Sequence, residues 1–535
     1  MDRLTLRSPR APGACLPAIS IISIISIIGI ICISSCVPAD PFADALDLLP
    51  PVTTRDGLVW VDRAHDELVF VLPGADDLAV KRTTLGDERT IIAWHAVTRD
   101  RASVLALTVP ATAKEEDVDE QLHRFAADGD GEPVVYDVHA PFSAISLSPD
   151  HRRAVLYFGE DTSAEQLHNA NQVALVDLAG AATQNVTLNG FGGALRAVEF
   201  PGQRTEGQPA PITIGGVSHD IVAFLATSEV VLLDMDDPAL DQVAIPLGMD
   251  IGFAPSTTLL RPGNPLFVDP VLFVRSSAGS EVGMLTLLPE PEGTGFTAQI
   301  SLLSVGQSVG DFIYHDSETV PYLITTDPSA GDLLFTDIRT QGGFAVELAN
   351  AASRLFLRDA QDGDTSTREV VAWTPGGTRI STLGLGGIED SLGRKPRQLN
   401  IETGIDALVQ LDNDRVLVGS GTRLYVVDFP AEQVTPLSSQ VPYDPLGSAL
   451  VGDRLLLGTA SQGWVSTVDL QTLNPESMLL DDPISSFHYL PGPERIIVTH
   501  ADAAGHLTVV DPADPARSSS RVHWGFLLSG ALDRE

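Results

Sequence analysis

Cysteine is nearly absent from this 535-residue chain. Its three cysteines, Cys15, Cys32 and Cys36, all lie within the first 36 residues. A domain of this size in an oxidising compartment would be free to use disulfides, but this one has no further cysteines with which to form them. The sequence therefore excludes a disulfide framework for everything that follows Cys36.

Basic residues are also scarce. Lysine and arginine total 33 against 71 aspartates and glutamates, which gives a formal net charge of −38. Such a surface repels phosphate backbones, so we expect no nucleic-acid partner, and it opposes docking of the body on anionic lipid. The 44% hydrophobic content argues against disorder because it provides material for a core. We interpret the acidic excess as a solubilising surface.

Aromatic residues make up only 6% of the chain, and long amphipathic helical patterns are hard to find. The clearest helical candidate covers residues 114–125 and lies between strand-like segments. Val, Leu, Ile, Gly, Pro, Asp and Thr are abundant, a mixture typical of many short strands joined by turns. The sequence thus favours an all-β body, with a surface helix at residues 114–125.

The N-terminus has the anatomy of an export signal. Three arginines within the first ten residues precede an apolar run over residues 18–33, and Ile-Ser-Ser-Cys occupies residues 33–36. This order resembles the lipobox of bacterial lipoproteins. The resemblance implies that residues 1–35 are removed as a signal peptide and that Cys36 is acylated as the first residue of the mature chain. Two alternatives stay open, namely an ordinary secretory signal and a retained membrane-spanning anchor.

Residues 36–56 are the expected lipidated N-terminus and tether. Several acyl chains together make attachment stable, because each buried CH₂ contributes about 0.8 kcal/mol. Val37 stands where many lipoproteins that stay at the inner membrane have aspartate, so the resemblance implies the outer membrane of a Gram-negative bacterium. The body is then expected to occupy residues 57–535. Four prolines keep the tether extended and unable to pair regularly: Pro38, Pro41, Pro50 and Pro51.

A strand that ends in aspartate recurs along the body. The last three copies are 41 and 42 residues apart, and the two longest gaps are each about double a propeller-blade repeat of roughly 40–50 residues. Strand-like runs without the aspartate fill those two gaps, at residues 282–288 and 369–373. The six copies lie at residues 173–177, 230–234, 333–337, 424–428, 465–469 and 507–511.

Three more short strands accompany each aspartate-ended strand, and four antiparallel strands per repeat are typical of a β-propeller blade. Ser-Pro-Asp at residues 148–150, before a strand at residues 153–158, resembles the blade turn of WD40-like and YVTN-type bacterial propellers. His151 replaces the glycine that usually follows this turn. The resemblance implies a β-propeller body.

The number of blades follows less directly from the repeats. About eight repeats follow Ala144, and one or two more strand sets lie between Leu58 and Val138. Propellers usually have four to eight blades. We therefore expect seven or eight four-stranded blades, with some repeats incomplete or with the N-terminal strands joining the last blade.

None of the short motifs in the body meets the requirements of an active or metal site. The G-x-S-x-G sequence at residues 306–310 leads into a strand rather than the helix of a nucleophile elbow. The acidic stretches at residues 128–132 and 359–364 lack the required EF-hand positions, and His500 and His506 lack a standard metal spacing. We predict no catalytic, cofactor-binding or metal-ligating residue, and we interpret the strand-ending aspartates as turn formers.

Two functions remain in view. The first is a non-catalytic binding or scaffolding module in the cell envelope, attached to the bilayer through acylated Cys36 and to a protein or glycan partner through its loops. The alternative is a propeller enzyme of the lactonase or quinoprotein dehydrogenase type. That alternative needs polar residues converging on the central channel, usually with a bound metal or quinone. The sequence favours the first function and leaves the partner unnamed.

Overall fold

The body consists of strands almost throughout. In the part of the chain that the structure describes, 42 strands form ten four-stranded antiparallel sheets and one two-stranded hairpin. The computed structural model describes residues 46–74, 77–85, 89–96, 101–110, 120–138, 142–160, 169–180, 182–189, 195–201, 211–247, 252–265, 267–277, 279–306, 308–317, 319–362, 365–388, 396–421, 423–437, 445–459, 463–514 and 520–528.

Each sheet is one blade, and blades are numbered along the chain. Blade 1 contains β1 (Val52–Thr53), β2 (Leu58–Asp62), β3 (Glu67–Pro73) and β4 (Leu78–Thr84). Blade 2 contains β5 (Arg89–Ala96), β6 (Ser103–Pro110), β7 (Glu120–Ala126) and β8 (Val134–Val138). Blade 3 contains β9 (Ala144–Leu147), β10 (Arg153–Tyr157), β11 (Gln172–Asp177) and β12 (Ala182–Thr187).

Blade 4 carries an inserted hairpin between its first two strands. Its sheet contains β13 (Ala197–Glu199), β16 (Ile221–Leu225), β17 (Glu229–Asp234) and β18 (Val243–Pro246), and the hairpin pairs β14 (Ile212–Ile214) with β15 (Val217–His219). Blade 5 contains β19 (Pro255–Arg261), β20 (Val271–Ser276), β21 (Glu281–Pro289) and β22 (Phe296–Ser304). Blade 6 contains β23 (Phe312–Asp316), β24 (Pro321–Thr326), β25 (Asp332–Asp337) and β26 (Gly343–Glu347).

The last four blades repeat the same order. Blade 7 contains β27 (Arg354–Asp362), β28 (Thr365–Trp373), β29 (Arg379–Gly384) and β30 (Arg397–Asn400). Blade 8 contains β31 (Ala407–Gln410), β32 (Arg415–Ser420), β33 (Arg423–Asp428) and β34 (Gln433–Pro436). Blade 9 contains β35 (Pro445–Val451), β36 (Arg454–Thr459), β37 (Trp464–Asp469) and β38 (Pro475–Leu479). Blade 10 contains β39 (Ile484–Leu490), β40 (Arg495–His500), β41 (His506–Val510) and β42 (Arg521–Trp524), followed by a 3₁₀ turn at Phe526–Leu528.

The middle strands of each blade are apolar on both faces because each face packs against a neighbouring blade. In β2, Leu58 and Trp60 face blade 10, whereas Val59 and Val61 face blade 2. This alternation follows from the two-residue period of a strand. Each fully buried Val or Leu contributes about 1.5–3 kcal/mol, so the junctions between blades account for most of the apolar burial.

The blades form one closed ring. Ten apolar clusters each join two successive blades, and the tenth joins blade 10 to blade 1. At this last junction Trp60 meets Phe526 edge-on, with ring centroids 5.7 Å apart. The first strands form the inner edge of the ring, since β1 approaches both β5 and β39. The body is therefore a β-propeller.

Our prediction of seven or eight blades is wrong, because the described residues form ten. Eight blades follow Ala144 and two lie between Val52 and Val138, as the repeats themselves indicated. The usual upper limit for blade number led us to discount the two N-terminal strand sets. No strand is shared to close the ring either, since β1 to β4 form a complete blade of their own.

The propeller begins before residue 57. The strand β1 pairs with β2 through Val52 and Thr53, so it belongs to blade 1. Leu46 and Leu48 pack against the apolar cluster between blades 10 and 1, and the Leu49 N–H donates to the Val61 carbonyl at 3.0 Å. Part of the expected tether is thus fixed to the ring, and residues 36–45 lie outside the described residues.

The predicted helix at residues 114–125 is also wrong where the structure describes it. Residues 120–126 form β7, whose Leu122 and Phe125 are buried against the two neighbouring blades. The acidic run before β7 imitated a helical face, but burial on both sides of the blade overrides that local pattern. Residues 111–119 lie outside the described residues.

The strand-ending aspartates form turns, as we predicted. Each accepts at least one hydrogen bond, through Oδ1, from a backbone N–H two or three residues later, at 2.8–3.0 Å, which closes the hairpin to the next strand. The six are Asp177, Asp234, Asp337, Asp428, Asp469 and Asp511.

Arginines tie these turns to the preceding blade. Arg415 begins β32 of blade 8, and its Nη1 donates to the Leu470 carbonyl of blade 9 at 2.7 Å. Arg454 begins β36 and donates in the same way to the Pro512 carbonyl of blade 10 at 2.9 Å. In each case the acceptor is the residue after the strand-ending aspartate. The repeated turn therefore also supplies a polar contact between blades.

Replacing Arg415 with methionine is expected to lower the free energy of unfolding by about 1–2 kcal/mol, because the Leu470 carbonyl loses its charged donor. Chemical denaturation of the full chain measures this. Arg423→Met in the same blade is the control, since Arg423 and its partner Glu402 are 62% and 67% exposed and such pairs contribute little. Equal stability of the two variants would refute the role of the arginine contact.

Candidate functional site

An open cleft of about 630 Å³ lies where the ring closes, and its volume is within the range of small-molecule sites. We call it the seam cleft. Its wall comes from blades 9, 10, 1 and 2 and contains Thr53, Arg55, Arg101 and residues 449–450, 487–489 and 491–492.

The lining residues occupy equivalent positions in their blades. Each lies on a first strand or in the turn that follows it: Thr53 ends β1, Arg55 lies in the β1–β2 turn, and Arg101 lies in the β5–β6 turn. Leu450 is on β35 and His488 is on β39. Because the first strands form the inner edge of the ring, the cleft opens at the inner rim of one face.

Backbone hydrogen bonds hold the turns of the cleft together. The Gly492 N–H donates to the Arg55 carbonyl at 3.0 Å, and the Arg55 N–H donates to the Arg101 carbonyl at 2.8 Å. A Cβ on Gly492 would lie 3.0 Å from the Arg55 carbonyl oxygen, which is tighter than most real contacts of a Cβ, so glycine allows this close approach. Blades 10, 1 and 2 are thereby linked through their turns at the rim.

His488 is held by two hydroxyl groups in the floor of the cleft. Its Nδ1 lies 2.6 Å from Thr53 Oγ1 across the seam, and its Nε2 lies 2.7 Å from Ser486 Oγ on the same strand. Burial, with a smaller contribution from the positive charge of Arg101, lowers the pKa of His488 to about 4. The imidazole is therefore neutral at pH 7, and both nitrogens are already engaged.

The cleft has one cationic side. Arg55 pairs with Asp56, with Nη2 and Oδ2 3.1 Å apart. In the described part of the chain, no carboxylate lies within ion-pair distance of the exposed Arg101 guanidinium. The Arg101 backbone has a φ of 53°, in the left-handed region that is unfavourable for a residue with a Cβ.

The opposite side of the cleft is apolar. Leu450 is 45% exposed. Phe487 is buried against Gly458, where a Cβ would come within 2.6 Å of its ring. Tyr489 is partly buried, and burial raises its pKa. Blades 9 and 10 thus present aliphatic and aromatic surface to the cleft.

Glu120 and His123 have strongly shifted pKa values but do not form a site together. Burial raises the pKa of Glu120 to about 8 and lowers that of His123 to about 4. Glu120 Oε2 accepts the Phe142 N–H of the next blade at 2.9 Å, whereas His123 stacks on Phe125 on the other face of β7. They belong to two different junctions, because residues three apart on a strand face opposite sides.

Of the motifs that we rejected, two lie between strands. His500 and His506 instead lie on β40 and β41, and the acidic stretch that starts at Asp359 belongs to β27 up to Asp362, so it is not the hairpin loop alone. Residues 308–310 lead directly into β23, and residues 128–132 connect β7 to β8. His500 and His506 stack with ring centroids 4.1 Å apart, and His500 bonds to the Pro483 carbonyl and to Thr508. The described residues include no group of three or more His, Cys, Asp or Glu side chains arranged to hold a metal ion.

Cys36, the predicted lipidation site, lies outside the described residues, as does the apolar run over residues 18–33. Within the described ranges, no helix has the length and apolar character needed to cross a membrane.

Sequence reasoning missed the seam cleft. Its key residues, Thr53, Arg101, Leu450 and His488, are far apart in the chain and belong to no common motif. One signal was present, since each lies at the end of a first strand or just after it. Using that signal required knowing that blade 10 packs against blade 1.

The His488→Gln variant is expected to lose less stability than the wild type when the pH is lowered. The folded pKa of about 4 lies below the ordinary value of 6.5, so the wild-type fold loses stability as pH falls from 6.5 to 4, by about 2–3 kcal/mol. Urea denaturation at several pH values measures this. Identical pH dependence in the variant would show that His488 titrates normally.

Glu120 is expected to make the stability of the wild-type fold change with pH in the opposite direction, and Glu120→Gln should remove that change. The folded pKa of about 8 exceeds the ordinary value of 4.5, so the wild-type fold loses stability as pH rises from 4.5 to 8. Glutamine keeps an acceptor for the Phe142 N–H and does not ionise. Between pH 4.5 and pH 8, the free energy of unfolding of the variant should therefore rise by about 3 kcal/mol relative to that of the wild type, as measured by denaturation. A constant difference would contradict this assignment.

Comparison with known proteins finds similarity in structure alone. No protein-family model matches the chain, and a search of curated proteins found no match. Among solved structures, the chain is similar to the dihydro-heme d1 dehydrogenase NirN in complex with DHE, at 16% identity and a TM-score of 0.40, covering 70% of this chain and 73% of that chain. It is also similar to the Dos1 propeller (12% identity, TM-score 0.37, 67% and 90% covered) and to AztD of Citrobacter koseri (11% identity, TM-score 0.31, 68% and 92% covered). Similarity at this level does not extend to function.

Proposed function

We propose that this protein is a membrane-anchored lipoprotein whose propeller is a non-catalytic binding or scaffolding module of the cell envelope. The anchor is acylated Cys36, and the expected location is the outer membrane of a Gram-negative bacterium. Support for the anchor comes from the N-terminal sequence, where a basic segment, an apolar run and Ile-Ser-Ser-Cys follow in order. Support for binding comes from the ring.

The observation that carries the binding role is the seam cleft. It is open, it is held by backbone hydrogen bonds between turns of three blades, and it combines arginine with apolar surface. A rigid cleft of this composition is suited to recognition because little ordering is needed when a ligand enters. Both nitrogens of His488 have hydroxyl partners, and none of the described residues that line the cleft is a carboxylate.

The alternative function is a propeller enzyme of the lactonase or quinoprotein dehydrogenase type. Such an enzyme requires a different set of residues. It needs several polar or metal-ligating groups that converge on one point of the channel. In the seam cleft the polar groups are instead two guanidinium groups, a neutral imidazole and hydroxyl groups. This composition favours binding of a ligand or partner.

Cys36→Ser is expected to move the protein from the membrane fraction to the soluble fraction wherever residues 1–35 have been removed, because the acyl chains that hold it are lost. Uncut precursor that stays in the membrane through its apolar segment would instead support a membrane-spanning anchor. Fractionation and mass spectrometry of the N-terminal peptide measure this. Cys32→Ser is the matched control, since Cys32 lies in the segment that the signal removes, and it should leave the distribution unchanged. A Cys36→Ser protein that stays in the membrane with residues 1–35 removed would contradict the lipid anchor.

Photo-crosslinking in intact envelopes tests the binding role. A photoreactive residue at position 450 should capture one specific protein or glycan partner. Position 268 is the control, because Val268 is 74% exposed and lies in the turn after the first strand of blade 5, far from the seam around the ring. Capture of the same partner from both positions, or of none from position 450, would contradict binding of a protein or glycan partner at the cleft.

A further inference from the structure

We infer that the seam cleft binds an amphipathic anion: a molecule with an apolar or aromatic body and a carboxylate or phosphate group at one end. This inference rests on the proposed binding role of the ring and specifies what the ring recognises. It follows from the way the two sides of the cleft differ in chemistry.

The anionic group of the ligand belongs at the side formed by blades 1 and 2. Arg101 supplies a guanidinium that no described carboxylate neutralises, and Arg55 lies in the neighbouring turn. A guanidinium binds carboxylate and phosphate oxygens through two parallel N–H donors, which gives both strength and orientation. The hydrogen bond from the Arg55 N–H to the Arg101 carbonyl fixes the two turns relative to each other.

The apolar part of the ligand belongs at the side formed by blades 9 and 10. Leu450 is exposed, and Phe487 and Tyr489 belong to the same wall. Covering the exposed Leu450 side chain with an apolar group removes that surface from water, which favours binding. The partly buried Tyr489 ring on this wall also favours a planar or aromatic ligand body.

The cleft carries an uncompensated positive charge in a molecule that is otherwise acidic. The whole chain has 71 acidic residues against 33 basic ones, yet the Arg101 guanidinium at the cleft has no carboxylate partner among the described residues, whereas Arg55 is paired with Asp56. A long polyanion would meet the acidic surface beyond the cleft and be repelled. A small anion can enter the cleft completely, so charge and size together select a small ligand.

His488 contributes to this selection by being neutral. A carboxylate in its place would repel the ligand, whereas the imidazole bonds to Thr53 and Ser486 without adding negative charge. The bond between His488 and Thr53 also crosses the seam, so it holds the apolar side of the cleft beside the cationic side. The spacing between the two sides is therefore set before a ligand arrives.

The test uses the full chain purified in a non-ionic detergent, with binding measured by calorimetry against a detergent blank. The probes are 3-phenylpropionate and phenyl phosphate, with 3-phenylpropan-1-ol and propionate as controls. At least one anionic aromatic probe should bind at least tenfold more tightly than both controls. The better of the two anions then indicates whether the natural ligand carries a carboxylate or a phosphate.

Arg101→Gln should weaken binding of the better probe about tenfold, and Arg101→Lys should weaken it less because the charge remains. Arg152→Gln is the matched control, since Arg152 is an exposed arginine in a turn of blade 3, outside the cleft. It should leave the affinity unchanged. Leu450→Ser should weaken binding of phenylpropionate more than that of propionate, which would show that the apolar part of the ligand lies against Leu450. Denaturation midpoints check that all variants fold.

Equal affinity for the anionic and neutral probes, or no effect of Arg101→Gln, would overturn the inference. So would the absence of binding by both anions at millimolar concentration. These failures are separable from failure of the proposed function. If crosslinking from position 450 still captures a partner while no small anion binds, the ring binds a macromolecule and only the ligand class is wrong.

Discussion

Every blade of this protein has two apolar faces and can bury them only against other blades. That constraint determines the architecture: a row of such sheets leaves one apolar face exposed at each end, and closing the row into a ring removes both. The ten junctions are chemically alike, with apolar side chains, mainly Val and Leu, from the middle strands of two blades meeting at each. Arginine contacts such as Arg415 to the Leu470 carbonyl add polar links at the rims of some junctions, but burial is what makes the ring close.

The junction between blade 10 and blade 1 differs from the others because it joins blades from the two ends of the described chain, without a shared strand. Trp60 and Phe526 meet there, and polar contacts involving Thr53, His488 and Gly492 connect the turns at the rim. These contacts bring together first-strand turns that differ in sequence from blade to blade. The cleft is thus a product of closure, since its cationic wall and its apolar wall come from opposite ends of the sequence.

The sequence predicted the parts of the structure that repeat. Strands ending in Asp177, Asp428 or Asp469 signalled blades because the turn chemistry is local and recurs. The repeats indicated about eight units and one or two further strand sets, and an assumption about the usual blade number reduced this count to seven or eight. The helix predicted up to Phe125 failed because burial on both faces of β7 is not visible locally. The cleft could not be predicted from the sequence, because contact between Thr53 and His488 depends on the ring closing at that junction.

In the part of the chain that the structure describes, the strands of each blade are consecutive in the sequence, apart from the hairpin inserted in blade 4, and no blade contains a strand from the opposite terminus. The number of blades can therefore change in whole units. Duplicating or deleting one in-frame segment of about 45 residues would leave the hydrogen-bonded ladders of the other blades intact and alter only the angle between neighbours. For the same reason the chain could begin at any blade. The number of blades in this ring can therefore change by tandem duplication without any change in the way the first and last blades pack together.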